Sequence, residues 1–276
     1  MTLGEALETG IRTLEKNMVS VSRLTAEVLL AHSLGVDRTY LYAHNTDTID
    51  EKAWDTYRAM LDRRSTGEPT QHITGTQEFY GRPFSVDNSV LIPRPETEFL
   101  IEVVGKLNHW KAPRIIDVGT GSGCIAITLG LEIPSSEVFA SDISERALAV
   151  AGRNARALGS SVEFLTMNLM DACHGDFEFV VSNPPYVDTN DFRSLQREVR
   201  EHEPHVALFA PGEPTSVYRN LLPQALDRLV QGGHLVVEIG FAMEEQIRGL
   251  FGEEWELLPT RADLQGIPRV IAARKR

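Results

Sequence analysis

Ile115-Ile116-Asp117-Val118-Gly119-Thr120-Gly121-Ser122-Gly123-Cys124-Ile125-Ala126 is the stretch that decides the fold. Its first four residues read as a buried strand, the next five alternate glycine with small hydroxyl residues, and a helix starts at Cys124. A strand that turns into a helix through such a loop brings backbone amides to its C-terminal end, where α/β sheets bind ligands. A dinucleotide loop has the order G-x-G-x-x-G. Here the order is Asp-x-Gly-x-Gly-x-Gly, and position 124, which would carry the third dinucleotide glycine, is cysteine. The next strand ends at Ser141-Asp142, where a carboxylate can accept both ribose hydroxyls of a nucleoside, so Asp142 is the expected ribose ligand.

Outward from this loop, strand and helix alternate. Strands are expected at 115–118, 138–141, 162–165, 179–182, 234–239 and 269–273. Helices are expected at 124–131, 144–158, 217–229 and 243–250, the pattern of a mostly parallel, doubly wound sheet. The loop and its two acids resemble those of class I methyltransferases, a Rossmann-like α/β fold with a mostly parallel seven-stranded sheet. That resemblance implies S-adenosyl-L-methionine as cofactor and S-adenosyl-L-homocysteine as its product. The cofactor would be held by Asp117, Gly119, Thr120, Gly121, Ser122, Gly123 and Asp142. Asp117 would reach the methionine amino group directly or through water, and Leu169 in Asn168-Leu169-Met170-Asp171 would be an apolar platform for adenine.

The N-terminal part reads as helices. Thr2 and Glu5 have capping-box spacing, and Leu3, Leu7, Ile11 and Leu14 share a helical face. Ser22 is placed to cap a second helix with Leu24, Val28 and Leu29 on its apolar side, and Gly35 to end it. A short helix starts at Asp37. Asp50 caps another, with Ala53, Trp54, Tyr57, Met60 and Leu61 as its stripe and Gly67 and Pro69 closing it. From Gln71 the pattern turns to short extended runs, Glu78-Phe79-Tyr80 and Phe84-Ser85-Val86 around Gly81-Arg82-Pro83. The expected organisation is a helical bundle over 1–70, a β-hairpin linker over 71–92 and the α/β domain over 93–276. Pro95 then starts a helix to Leu107.

Asn183-Pro184-Pro185-Tyr186 follows the fourth strand of the domain directly, which places it beside the loop. An amide or aniline-like nitrogen is a poor nucleophile because its lone pair is delocalised. The Asn183 side-chain oxygen and the Pro184 carbonyl can each accept one of its N–H groups, the prolines stiffen the turn, and Tyr186 can stack on the planar group. Asn183, Pro184 and Tyr186 are the candidate catalytic residues, and Asn183, Pro184, Pro185 and Tyr186 the candidate substrate-binding set. The resemblance to methyltransferases implies that Asn183 also binds the cofactor. No general base is required.

A net charge of −12 excludes a protein that holds nucleic acid through a broad basic surface. The N-terminus has no basic and apolar leader and no run long enough to span a bilayer, so the expected location is the cytoplasm, with no membrane partner. Cys124 and Cys173 form no C-x-x-C. His202 and His205 lack partners at metal-ligand spacing and read as loop histidines, so no metal is expected. Cys124 reads as a packing residue before an activated thiol, and Trp54 and Tyr57 as core before a partner patch. For Glu238, approach to the site and a structural role stand equally open.

Over nearly its full length the chain resembles the release factor glutamine N5-methyltransferases, the PrmC/HemK family. The resemblance adds to the loop and the tetrad Gly75, Glu78-Phe79-Tyr80-Gly81, Val90 to Glu98, Glu203-Pro204 with Ala207-Leu208, Glu238-Ile239-Gly240, and Asp263-Leu264-Gln265-Gly266 with Arg269. It implies that the acceptor is the glutamine amide of the Gly-Gly-Gln motif in class I peptide chain release factors, gripped in part by the N-terminal helices, with no direct binding of nucleic acid. His72, where the family often has tyrosine, and Leu169, where some members have an aromatic residue, depart from the pattern. Two rivals stand beside this reading. One is a methyltransferase for exocyclic amines of DNA or RNA bases, which the same tetrad could hold. The other is a noncatalytic module, for which a damaged tetrad or loop would be expected.

Overall fold

The computed structural model describes residues 1–276, in two compact units, Met1–Thr76 with Leu195–His202 and Gln77–Ser194 with Glu203–Arg276. No helix is long and apolar enough to cross a membrane.

The first unit is built from helices Leu3–Lys16, Ser22–Leu34, Arg38–Ala43, Glu51–Ser65 and Thr70–Thr74, joined by Arg197–His202. Thr2 and Glu5 form the capping box, with Glu5 N donating to Thr2 Oγ1 at 3.2 Å and Thr2 N to Glu5 Oε2 at 2.8 Å. Asp50 caps as expected, accepting from Ala53 N at 2.8 Å, and Gly35 ends the second helix in the left-handed conformation. Ser22 is a correction: the cap position belongs to Val21, and the Ser22 hydroxyl donates back to the Val19 carbonyl. The buried face of that helix is also rotated from the expected one, with Ala26, Leu29 and Leu30 inside and Leu24 exposed. The cause is Glu27, buried because it accepts from Arg38 and Tyr42. A pairing partner can bury a charge that pattern reading assigns to solvent. Arg64 likewise is buried against Glu198, 2.7 Å away.

The hairpin is β1 (Thr76–Phe79) with β2 (Arg82–Ser85). It starts later than the extended pattern suggested, because Thr70–Thr74 forms a turn of helix ended by Gly75 at φ +73°.

The second unit carries β3 (Arg114–Val118), β4 (Glu137–Asp142), β5 (Val162–Thr166), β6 (Phe177–Ser182), β7 (Leu229–Glu238), β8 (Trp255–Leu257), β9 (Arg261–Ala262) and β10 (Pro268–Lys275). Seven strands run in the order β5-β4-β3-β6-β7-β10-β8, and the two-residue β9 adds an eighth beside β10. β3 to β7 pair in parallel, whereas β10 is antiparallel to β7, β8 and β9. β8 and β9 have no counterpart among the expected strands, being too short to show a period. β7 begins five residues before the expected His234, because Gly232-Gly233 is a strand irregularity rather than a turn: Gly232 has φ +81° and the pairing with β6 shifts register there.

Alternation along each strand feeds two cores, with Ile116, Val118, Val180 and Val237 on one side and Ile115, Phe179, Val181 and Val236 on the other. The chain proceeds from β3 outward to β5, then returns to place β6 on the other flank of β3. The point where the order reverses is therefore between β3 and β6, where such sheets open a crevice beyond their strand ends.

In the helical unit, Gly10 admits the Tyr57 ring: a Cβ there would stand 1.8 Å from Tyr57 Oη, which is buried with no hydrogen-bond partner. Gly10→Ala should cost about 2–3 kcal/mol in urea unfolding. Tyr57→Phe alone should stay within about 1 kcal/mol of wild type, since it removes an unpaired polar atom, and should recover part of the loss in the Gly10→Ala background. A Tyr57→Phe loss as large as that of Gly10→Ala would contradict this packing.

Candidate functional site

Val118 pairs with Ser141 on one side and Ser182 on the other, so β3, β4 and β6 end at one level. Gly119, Asp142 and Asn183, the next residues of each chain segment, thereby come to one edge. They line a cleft of about 280 Å3 together with Gly121, Leu169 and Pro185. Its apolar wall includes Val90, Ile143 and Met167.

The glycine loop is held by its neighbours' polar atoms. Gly119 N and Thr120 N both donate to the Ser141 carbonyl, at 2.8 and 2.9 Å. Gly121 N donates to Asp142 Oδ2 at 2.9 Å, and Ser144 N to Asp142 Oδ1 at 2.8 Å. A carboxylate has more acceptor sites than these amides fill, so Asp142 can still accept from a ligand hydroxyl. Gly119 and Gly121 have positive φ and open space where a Cβ would point, whereas a Cβ on Gly123 would meet Ile127 at 2.8 Å and Ala151 at 3.0 Å. Two glycines thus leave room at the cleft and the third lets the following helix pack.

Thr120, Ser122 and Gly123 are buried behind the loop rather than lining the cleft. The Thr120 hydroxyl is spent on Asp117 Oδ2 at 2.6 Å. Asp117 itself is fully buried, and its Oδ1 has no well-formed hydrogen bond from the protein. Burial, offset by hydrogen bonds from the Thr120 hydroxyl and the Ala126 amide, pushes its carboxyl up to about 7. Leu169, in the left-handed region at φ 53°, presents its side chain to the cleft while its carbonyl accepts from Ser141 Oγ at 2.9 Å.

In the tetrad, Asn183 and Pro185 reach the cleft, Pro184 is buried, and Tyr186 is half-buried against the core beneath it. Gly240 makes Tyr186's position possible, since a Cβ there would stand 2.8 Å from the Tyr186 ring. Burial pushes the Tyr186 phenol up to about 12, so the ring stays neutral. Asn183 Nδ2 donates to Thr97 Oγ1 at 3.1 Å.

Three residues organise this edge: Asn154 is not among the residues quoted from the sequence, and Thr97 and Glu203 are quoted only within the family pattern, with no role given. Asn154, buried in the helix Glu145–Leu158, accepts from Ser85 N and donates to the Ser85 and Ser122 carbonyls, tying β2 to the glycine loop. An asparagine on the buried face of a helix was the available signal. Glu203, buried, accepts from Ile92 N at 3.2 Å and Arg94 Nη2 at 2.6 Å and so holds the Pro93–Glu98 loop. Thr97, at the end of the turn Pro95–Thr97, joins Asn183 to Glu238.

Other singled-out residues take plain roles. Burial pushes the Cys124 thiol up to about 12, which removes its thiolate at neutral pH. His205 packs edge-on against Phe192 and Phe209, and no group of three or more His, Cys, Asp or Glu is arranged to hold a metal ion. Tyr57 is core and Trp54 packs against that core.

Two family models match the chain, the PrmC N-terminal domain over residues 5–75 and the methyltransferase small domain over residues 95–203. Proteins called release factor glutamine methyltransferase are similar over the whole length. The one from Koribacter versatilis is 43% identical, with 100% of this chain and 99% of that protein covered. The one from Bradyrhizobium diazoefficiens is 38% identical, covering 99% and 96%. Among solved structures, a methyltransferase from Pyrococcus furiosus aligns with TM-score 0.54 at 15% identity, over 71% of this chain and 90% of that one. A ribosomal protein L11 methylase from Lactobacillus delbrueckii subsp. bulgaricus aligns at 0.51 and 19%, over 72% and 89%. At such identities these structures speak for the class I methyltransferase fold alone.

Asn154→Ala would strand the Ser85 amide and two carbonyls in a buried place. It should lower the unfolding free energy by about 2–3 kcal/mol, read by chemical denaturation. Stability within about 0.5 kcal/mol of wild type would show that the tie between β2 and the loop carries no weight.

Proposed function

The chain belongs to the release factor glutamine methyltransferase family, and from that premise we propose the following working of its site. The enzyme transfers a methyl group from S-adenosyl-L-methionine to the side-chain amide nitrogen, N5, of the glutamine in the Gly-Gly-Gln motif of class I peptide chain release factors. The observation that carries this reading is the position of the Asn183 carboxamide. It stands at the end of β6, across the β3/β6 crevice from the glycine loop, with its NH2 turned to Thr97 and its oxygen left to accept.

The residues of the cleft suit the cofactor. Gly119 and Gly121 leave space over the loop, the remaining acceptor sites of Asp142 suit ribose hydroxyls, and Leu169 with Ile143 suits the adenine faces. Asp117 Oδ1 is a buried acceptor with no well-formed hydrogen bond from the protein, as a site for the methionine ammonium would be. When bound, the cofactor supplies an electrophilic methyl on a sulfonium centre.

The protein's work is on the acceptor. Asn183 Oδ1 and the Pro184 carbonyl would each take one N–H of the glutamine amide, and Tyr186 would lie against its plane, turning the nitrogen lone pair toward the methyl. Holding nitrogen and methyl in line contributes roughly 7–11 kcal/mol to such a reaction. The methylated nitrogen is a strong acid and releases its proton to water, so no base is needed. The helical bundle would grip the release factor, and the net charge of −12 disfavours a nucleic-acid substrate.

Methyl-labelled cofactor should label purified release factor and leave duplex DNA and ribosomal RNA unlabelled; label in the nucleic acids alone would overturn the reading. Asn183→Ala should lower turnover at least about 100-fold while cofactor affinity stays within about tenfold, the loss of one contact. Undiminished turnover would remove Asn183 from its role. Asp117 holds an ammonium only as a carboxylate. With its carboxyl at about 7 in the free protein, cofactor affinity measured calorimetrically should weaken about tenfold between pH 8 and pH 6, and this dependence should vanish in Asp117→Asn.

A further inference from the structure

Glu238 ends β7 with its side chain 3% exposed, and Thr97, 2% exposed, stands between it and the tetrad. Thr97 Oγ1 donates to Glu238 Oε2 at 2.7 Å, and the same oxygen accepts from Asn183 Nδ2 at 3.1 Å. A threonine hydroxyl has one hydrogen. Once that hydrogen is committed to the carboxylate, only lone pairs remain for Asn183. A lone pair can be met only by the NH2 end of the carboxamide, so Oδ1 must face the other way. The orientation follows from counting hydrogens along three residues.

The reverse arrangement is the one to be avoided. Without an acceptor behind it, the Thr97 hydroxyl is free to donate to the carboxamide oxygen. The Asn183 NH2 would then face the acceptor site, where an incoming amide also presents N–H groups, and two donors would meet. Asn183 has the same bulk in both orientations, so packing alone does not separate them.

The surroundings hold the chain of bonds in place. The Glu238 carbonyl accepts from Tyr218 Oη at 2.8 Å, and Ile239 N donates to the Arg269 carbonyl at 2.8 Å, so the end of β7 is fixed. Thr97 is fixed by the turn it closes, its amide donating to the Arg94 carbonyl at 3.1 Å, and Glu203 binds the Arg94 side chain. A buried carboxylate is costly unless hydrogen-bonded, and the bond that Glu238 accepts from Thr97 is the one that sets the direction.

We propose that Thr97 and Glu238 are positioning residues for methyl transfer: Glu238 orients the Thr97 hydroxyl, and the hydroxyl locks the Asn183 carboxamide with its oxygen toward the acceptor amide. This rests on the amide acceptor proposed above. It assigns a task to the buried carboxylate and to the Pro93–Glu98 loop, which delivers Thr97.

The test is steady-state transfer to purified release factor, with cofactor affinity and thermal unfolding measured on every variant. Thr97→Val keeps the shape and removes both hydrogen bonds. It should lower kcat by roughly 30- to 100-fold, as loss of orientation does, with cofactor affinity within about twofold and KM for the release factor within about threefold. Thr97→Ser restores the hydroxyl and should recover to within about threefold of wild type. Glu238→Gln can still offer an oxygen to Thr97 and should exceed Glu238→Leu in kcat by at least about tenfold. The double variant Thr97→Val with Glu238→Leu should be no slower than the slower single one, because both break the same chain of bonds.

Wild-type kcat in Thr97→Val, Thr97→Ser as slow as Thr97→Val, or losses that multiply in the double variant would each overturn the proposal. Should Thr97→Val fail to fold, Glu238→Gln against Glu238→Leu makes the same comparison, and equal rates overturn it. Wild-type enzyme that labels no release factor would instead defeat the acceptor assignment, and this proposal with it.

Discussion

Val118 is paired on both sides, with Ser141 of β4 and Ser182 of β6, and the site depends on that register. Parallel strands in this alignment deliver the glycine loop, Asp142 and Asn183 to one edge of the sheet. A register slip in β6 would carry Asn183 away from the loop and turn its side chains to the other face, since strand side chains alternate. The slip is opposed from both sides of the sheet, because Phe179 and Val181 fill one core and Phe177 and Val180 the other. Packing far from the cleft therefore fixes the spacing at which acceptor and cofactor groups could meet.

On that frame the site is assembled from buried polar residues, each satisfied by few partners. Ser182 Oγ donates to the Val118 carbonyl at 2.7 Å, a side-chain bond between the two strands at the crevice. Asn154 ties β2 to the loop, Glu203 holds the segment before Pro95, and Thr97 connects that segment to β7. These bonds cross long sequence separations and link the parts that a ligand would touch. The arrangement explains why polar residues stand in positions where an apolar one would be cheaper to bury.

Two carboxyls, Asp117 and Glu238, are pushed up to about 7, in both cases chiefly by burial. A carboxyl raised in the folded state binds a proton that the unfolded chain has released. Between their unfolded values, 3.8 and 4.5, and about 7, these groups make the fold less stable as pH rises. The enzyme thus keeps at its centre two groups that oppose its own stability at neutral pH. One has an oxygen without a well-formed hydrogen bond and the other meets the hydroxyl that contacts Asn183, as expected where function rather than stability sets the residue.

Local patterns made much of this legible. The glycine spacing after an apolar strand, the alternation of strands with helices, the capping box at Thr2 and the tetrad after β6 are all encoded within a few neighbouring residues, where period, capping and turn chemistry act directly. What stayed hidden lies in pairings between distant residues. Glu27 turned a helix face by finding Arg38 and Tyr42, and Leu195–His202 joined the helical unit from between β6 and β7. β8 and β9 exist only because β10 offers them an edge. Within the site, the sequence alone determined which residues could accept an amide's hydrogens. Only the tertiary structure decided which way the Asn183 carboxamide faces, because its NH2 donates to a Thr97 hydroxyl whose single hydrogen is committed to Glu238, 141 positions away.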